Sequence, residues 1–169
     1  MNGIEITEIR DYFRKLASEH KAIRHDSRNK GYFGYDLDEF NESSNRTKLS
    51  DFPLILAEIR PRYIRNSGNL RSQMMISFIV LALPTGNERD YESQYKAFDD
   101  AYKVGVEVWA RIVADSRSRQ CPKSFDHLSG DEATSMMVGP YSTRHVGWRF
   151  SFTVKSVATV EVNPDVWQS

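Results

Sequence analysis

The chain has 169 residues, 40% apolar and 27% charged, which is typical of one globular domain rather than of a disordered or membrane-spanning chain. Its 23 basic and 23 acidic residues cancel, whereas a dedicated nucleic-acid-binding protein normally carries a basic excess. The single cysteine, Cys121, excludes an intramolecular disulfide framework and favours a reducing compartment, and no apolar run is long enough to span a bilayer.

The first predicted element is an amphipathic helix over residues 4–23, in which apolar side chains recur at spacings of three and four. Its predicted apolar stripe consists of Ile6, Ile9, Phe13, Leu16, Ala17 and His20. We expect the stripe to pack on a sheet, and binding to a partner protein is the alternative.

Residues 24–52 are predicted to form a long irregular excursion, because apolar residues are sparse and Ser, Asn, Asp and Arg are frequent. One short strand within this segment is compatible with its composition. Loops of such length inside a compact domain are usually functional. The alternative is a surface excursion that Tyr32, Phe33 and Phe40 anchor.

A β-hairpin follows, with strands over residues 54–65 and 70–83 joined by an Asn-Ser-Gly-Asn turn. Alternation in the first strand places Glu58, Arg60 and Arg62 on one face. Pro61 lacks an N–H donor, which predicts a sheet edge or a bulge at that point. The far half of the second strand, which includes Ile79 and Leu81, is predicted to be covered on both faces.

A long helix is predicted over residues 87–115, with Asn87 as its N-cap. Its predicted buried stripe consists of Tyr91, Tyr95, Phe98, Tyr102, Gly105, Trp109 and Ile112, widened by Val108 and Val113. Gly105 is expected to permit close packing of this helix against the sheet.

A second hairpin is predicted from strands over residues 132–141 and 146–154, and residues 157–162 continue as a strand or a bent extension. The fold class is therefore α+β, in a single domain over residues 1–169. A mostly antiparallel sheet of four to five strands carries two helices on one face, in the order helix, hairpin, long helix, hairpin.

Searches for catalytic chemistry predict no enzyme, no cofactor and no metal. Neither a nucleophile elbow nor a phosphate-binding loop is present. One loop contains Cys121, Asp126, His127 and Asp131, which lack a recognised ligand spacing. Grouped carboxylates occur at Asp36, Asp38 and Glu39 and at Asp99 and Asp100, and both groups are interpreted as solvated charge. For the first group, which lies beside aromatic residues, an ion or glycan site is the alternative.

Basic residues on the strands are the most suggestive charge feature. If the strands are neighbours, these side chains form one basic sheet surface that contacts phosphates or an acidic subunit. The candidate lumen or subunit-interface residues are Arg60, Arg62, Arg65, Arg71, Arg149 and Lys155. The alternative is a solvated face neutralised by Glu58 and other acids.

The arrangement resembles the tail terminator, tail completion and neck ring proteins of tailed bacteriophages. Three features carry the resemblance: the N-terminal amphipathic helix, the hairpin–long helix–hairpin order, and the terminal block from Gly147 to Val154 followed by Asn163-Pro164-Asp165-Val166-Trp167. The excursion at 24–52 departs from the smallest members of this family.

The resemblance implies a virion protein that assembles in the host bacterial cytoplasm as a homo-oligomeric ring, usually of six subunits. Its partners would be other tail or neck proteins, with transient non-specific contact to DNA in the channel and no membrane. The alternative function is a small enzyme or ligand-binding domain. Its pocket would lie between the long helix and the 31–40 loop, lined by Tyr32, Phe33, Tyr91 and Tyr95.

Overall fold

The fold is known from a computed structural model, which describes residues 6–34, 53–65, 72–87, 89–122, 125, 128, 133–141 and 144–156. This part of the chain forms a five-stranded sheet with the strand order β1-β2-β3-β5-β4. The elements in chain order are α1 (Ile6–Glu19), β1 (Tyr32–Phe33), β2 (Leu54–Arg65), β3 (Ser72–Ala82), α2 (Tyr91–Ser118), β4 (Thr134–Val138) and β5 (Val146–Ser156). Only β1 and β2 pair in parallel, so the predicted mostly antiparallel α+β class is confirmed.

Both helices pack on the same face of the sheet, here called the inner face. Phe78 of β3 and Phe150 of β5 occupy its centre, with stacked rings whose centroids are 5.1 Å apart. The core on this face includes Leu56, Met74, Ile76, Phe78, Val80, Val146, Phe150, Phe152 and Val154 from the strands. The prediction of two helices on one face is therefore confirmed.

Helix α1 contributes an apolar stripe that differs slightly from the predicted one. Its buried residues are Ile9, Tyr12, Phe13, Leu16 and Ala17. Ile6 is exposed, and His20 follows the end of the helix, where its Nε2 lies 3.0 Å from Oε2 of Glu107. Tyr12 is the added member, and its hydroxyl reaches across to α2.

Helix α2 begins later than predicted, because Asp90 and not Asn87 is its N-cap. The Asp90 carboxylate accepts a hydrogen bond of 3.1 Å from the backbone N–H of Ser93. Asn87 instead accepts from the backbone N–H of Arg89, which fixes the preceding turn. The helix ends at a residue in the left-handed conformation, Arg119, with φ of 56°.

The buried stripe of α2 is also different, because its fully buried members are not aromatic, and the predicted Phe98 and Trp109 are only partly buried against the core. The buried positions are Ala97, Ala101, Val104, Gly105, Val108, Ile112 and Asp115. Gly105 permits close contact as predicted, since a Cβ there would lie 2.0 Å from Cε2 of Phe150. Tyr91, Tyr95 and Tyr102 are exposed, so their predicted place in the core is wrong.

The other face of the sheet, the outer face, carries a second and smaller apolar cluster at one end. Its buried members are Phe33, Ile55, Ala57, Ile79 and Leu81, with Tyr141 packed against them. The far half of β3 is therefore covered on both faces, as predicted.

A bulge interrupts β2 at Pro61, as the missing N–H donor predicts. Ile59 pairs with Ser77 and Arg62 pairs with Met75, so Arg60 and Pro61 together lie opposite one residue, Ile76. A bulge with one extra residue reverses the alternation of side chains beyond it. This reversal decides on which face the arginine at position 62 lies.

The strand predicted over residues 132–141 is shorter, since β4 covers Thr134–Val138. The predicted turn at 66–69, the strand at 157–162 and the part of the excursion over 35–52 lie outside the described residues.

Candidate assembly surfaces

The outer face brings together two of the six predicted basic residues, Arg62 and Arg149. Arg62 pairs with Met75, which lies on the outer face, and Arg149 pairs with Ile79 on the same face. Without the bulge, strict alternation from Glu58 would direct Arg62 toward the helices. We call these two arginines, with the intervening Met75, Ser77, Ser151 and Thr153, the arginine surface.

Arg149 is half-buried on the outer face. Its Nη2 lies 3.3 Å from Oγ of Ser77, and that hydroxyl is 2.8 Å from the hydroxyl of Ser151. Its Nε is buried and has no acceptor among the described residues. Arg149 also lies near Tyr141, whose pKa is raised by burial, an effect that the arginine's charge opposes. A buried N–H without an acceptor is costly, so the position of this side chain lowers the stability of the protein.

Glu58 does not neutralise the arginine surface, because its side chain lies on the inner face. It is buried and accepts a hydrogen bond of 2.6 Å from the hydroxyl of Tyr32. Burial and this hydrogen bond raise the pKa of Tyr32. The predicted grouping of Glu58 with Arg60 and Arg62 on one face is therefore wrong, and the bulge is the physical reason.

The remaining basic candidates are not shown to join this surface. Arg60 is exposed within the bulge. Arg65 pairs with Ser72, and Lys155 pairs with Gln73 near the ends of their strands. Arg71 lies outside the described residues.

A second surface lies on α2 and was not predicted. One helical face carries Glu92, Tyr95, Asp99, Tyr102 and Val106 at spacings of three and four, and all five side chains are exposed. Tyr95 is 63% exposed. We call this row the tyrosine surface. The run of small buried residues at Ala97 and Ala101 is the sequence signal that would have placed the tyrosines outside the core.

The tyrosine surface continues onto the edge of the sheet. The ring of Tyr102 lies 4.9 Å from that of Trp148, and Trp148 donates a hydrogen bond of 3.0 Å to the carbonyl of Phe98. Trp148 pairs with Met137 on β4, which is 48% exposed. Met136, at 57% exposed, lies on the opposite face of the same strand. Contiguous exposed apolar side chains of this kind are typical of protein–protein contacts.

The two surfaces carry opposite charge. Glu92 and Asp99 contribute two negative charges to the tyrosine surface, and Arg62 and Arg149 contribute two positive charges to the arginine surface. In the part of the chain that the structure describes, none of these four side chains forms an ion pair. Each surface is therefore electrostatically suited to the other.

Candidates for metal binding do not assemble among the described residues, which contain no group of three or more metal-ligating side chains. Asp126, His127 and Asp131 lie outside those residues, and so do Asp36, Asp38 and Glu39. Cys121 is half-buried. Asp99 and Asp100 are both exposed on α2.

The four aromatic residues predicted to line a ligand pocket do not converge. Tyr32 is buried in the inner core, Phe33 is buried on the outer face, and Tyr91 and Tyr95 are exposed. A groove of about 470 Å³ does lie beside α2, against the ends of β2 and β3. Its charged lining residues are Lys96, Asp100, Lys103 and Glu107.

No protein-family model matches the chain, and no curated protein matches it. Within the described ranges, neither α1 nor α2 is long and apolar enough to cross a membrane.

Proposed function

We propose that this protein is a structural subunit that joins copies of itself head to tail into a ring, as a tail terminator or neck protein at the head–tail junction of a tailed bacteriophage. The observation that carries the proposal is Arg149, a half-buried cation on the outer face that forms no ion pair in the described part of the chain. The resemblance in element order and in the terminal block supports the phage setting.

The arginine surface is better explained by a protein partner than by solvent alone. An arginine held against the sheet presents a planar fork that a carboxylate can occupy with two parallel hydrogen bonds. Ser77 and Ser151 restrict the guanidinium of Arg149 on one side, which lowers the entropy lost when an acceptor binds.

The acidic residues that would bind these arginines, Glu92 and Asp99, lie on the tyrosine surface of the same chain. A contact between the arginine surface of one copy and the tyrosine surface of the next is heterologous, and such contacts generate rings when the rotation closes. Tyr95 and Tyr102 supply large rigid contact areas, and Glu92 and Asp99 supply the charges.

A charge-reversal pair tests this arrangement. One variant combines Arg62→Glu with Arg149→Glu, and the other combines Glu92→Arg with Asp99→Arg. Each variant alone should lose the ring, because like charges then meet at every contact. Mixed in equal amounts, they should regain a ring of alternating subunits, because the reversed surfaces of the two variants again carry opposite charges. Multi-angle light scattering across a concentration series, with and without a tail tube protein, measures the mass.

Two controls keep this result interpretable. Arg89→Glu reverses an exposed charge near the start of α2 and should leave the ring intact. Arg62→Glu alone changes only an exposed side chain, so it separates loss of assembly from misfolding. A wild-type protein that stays monomeric under all these conditions would contradict the proposed function.

A ligand-binding domain is the second candidate, and the groove of about 470 Å³ beside α2 favours it. Thermal stabilisation by a member of a metabolite panel, abolished by Lys103→Met, would support this function. An unchanged melting temperature with every compound would count against it.

A further inference from the structure

A concave site of about 440 Å³ lies where the end of α1 meets the segment that leads into β1. Four basic side chains line it, namely Arg14 from α1 and His25, Arg28 and Lys30 from the following segment. The hydroxyl-bearing residues Ser18 and Ser27 and one acid, Asp26, complete the lining. This cluster shares no residue with the predicted basic strand residues, and the zero net charge of the chain does not reveal it.

Arg14 and Arg28 are exposed, and in the described chain neither guanidinium forms an ion pair. Both arginines line one concavity. Their planar forks match the oxygen geometry of a phosphate group.

The carboxylate of Asp26 is engaged chiefly by the backbone, and the charge of Arg28 contributes less to its lowered pKa than the backbone hydrogen bonds do. Its Oδ1 accepts hydrogen bonds of 2.7 Å from the backbone N–H groups of both Arg28 and Asn29. These two bonds, with that of Asn29 first, lower the pKa of Asp26. Asp26 therefore acts as the anchor of a turn.

The same turn holds its cationic residues in a defined arrangement. The side-chain amide of Asn29 donates to the carbonyls of Ile23 and Arg24, at 3.2 and 2.7 Å. Gly31 leaves room for this packing, since a Cβ there would lie 2.6 Å from the carbonyl oxygen of Ile23. Lys30 stacks its ammonium over the ring of Phe33, with Nζ 5.0 Å from the centroid. These hydrogen bonds and the cation–π contact hold the segment in place before a ligand binds.

We propose that this concavity binds a phosphate group, held by the guanidinium forks of Arg14 and Arg28 with Lys30 and His25 beside them. The inference does not depend on ring assembly, because the residues belong to neither the arginine surface nor the tyrosine surface. The phosphate can belong to a small phosphorylated molecule or to a nucleic-acid backbone, and both sources present the same oxygens.

The test uses the full chain with three probes: inorganic phosphate, a mononucleotide and a short DNA duplex, each titrated by calorimetry at two salt concentrations. The variant Arg14→Gln/Arg28→Gln should weaken binding at least fivefold. Arg89→Gln removes an exposed arginine elsewhere on the chain and should leave the affinity unchanged. Because both substituted side chains are exposed, unfolding is not expected, and a melting curve of each variant verifies this.

Each outcome of this experiment either supports the phosphate site or overturns it. Binding of phosphate or mononucleotide that the double variant loses identifies a small-molecule phosphate site. Binding of the duplex alone, with a shallower salt dependence in the double variant, identifies a nucleic-acid backbone as the source. Equal losses in the double variant and in Arg89→Gln would reveal general attraction to anions and overturn the proposal. No binding of any probe would overturn it as well, without bearing on whether the protein forms rings.

Discussion

The hydroxyl of Tyr12 on α1 donates a hydrogen bond of 2.9 Å to Oδ2 of Asp115 near the end of α2. The other oxygen of this buried carboxylate accepts from Nε of Arg111 at 2.7 Å. Arg111 also lies 3.4 Å from Glu19, so a short chain of polar groups joins the two helices above the sheet. Burial, followed by the contact with Asp115, raises the pKa of Tyr12.

Substitution of Tyr12 by Phe should destabilise the protein by about 1–3 kcal/mol, because it leaves one oxygen of a buried carboxylate without its donor. Urea denaturation followed by circular dichroism measures the change. Tyr95→Phe removes the hydroxyl of an exposed tyrosine and should change the free energy of unfolding by less than about 0.5 kcal/mol. Equal effects of the two substitutions would show that the Tyr12 hydroxyl contributes nothing specific.

Stability should fall as the pH rises above the ordinary tyrosine pKa of 10.0. Burial raises the pKa of Tyr12 and Tyr32 in the folded state, so in this range the unfolded chain loses protons that the folded chain keeps. Each of these tyrosines then lowers the free energy of unfolding by up to about 1.4 kcal/mol per pH unit.

Urea midpoints between pH 9 and pH 11 test this dependence on Tyr12 and Tyr32. Tyr12→Phe and Tyr32→Phe should each make the decline shallower, and the double variant should flatten it further. The exposed Tyr91 provides a matched control, Tyr91→Phe. If stability declined equally steeply with pH in the wild type and in all four variants, the buried tyrosines would be excluded as the source of the decline.

Gly105→Ala should destabilise the protein by about 1–3 kcal/mol, even though alanine is the better helix former. The new Cβ would meet the ring of Phe150, which cannot move freely because it stacks on Phe78. The same substitution in a Phe150→Leu background should cost less. A double-mutant cycle measures this difference, and a coupling energy of zero would contradict a direct clash.

Arg149→Met should separate assembly from folding. Methionine retains much of the side-chain volume and removes a buried donor that has no acceptor, so the monomer should be as stable as the wild type or slightly more stable. Self-association should weaken at least tenfold, measured by sedimentation velocity across a dilution series. If assembly is undiminished, Arg149 does not lie in the contact between subunits.

The class of the fold was predictable because alternation and helical spacing are local properties of the chain. Val146, Phe150, Phe152 and Val154 alternate with polar residues, and they do face the core. Pro61 signalled the bulge correctly. The face on which Arg62 lies was not predictable, because it depends on how many residues the bulge adds.

The error in α2 has a different physical cause. Hydrophobic character assigned Tyr95 and Tyr102 to the core, but the helix approaches Phe150 of β5 so closely at Gly105 that no Cβ fits there. Ala101 and Gly105 are buried in their place. The distance between a helix and the sheet cannot be read from the periodicity of the sequence. In this protein Tyr95 and Tyr102 therefore lie on the surface that we propose for assembly.

The position of β5 in the sheet also affects how the protein is made. This strand follows every other described element along the chain, yet it lies between β3 and β4. The ribosome therefore delivers this joining strand after all the other described elements, and β4 has no described neighbour until then. A nascent chain at that stage exposes the edge of β3 and the apolar side of α2, which makes this interval one in which a chaperone would be useful.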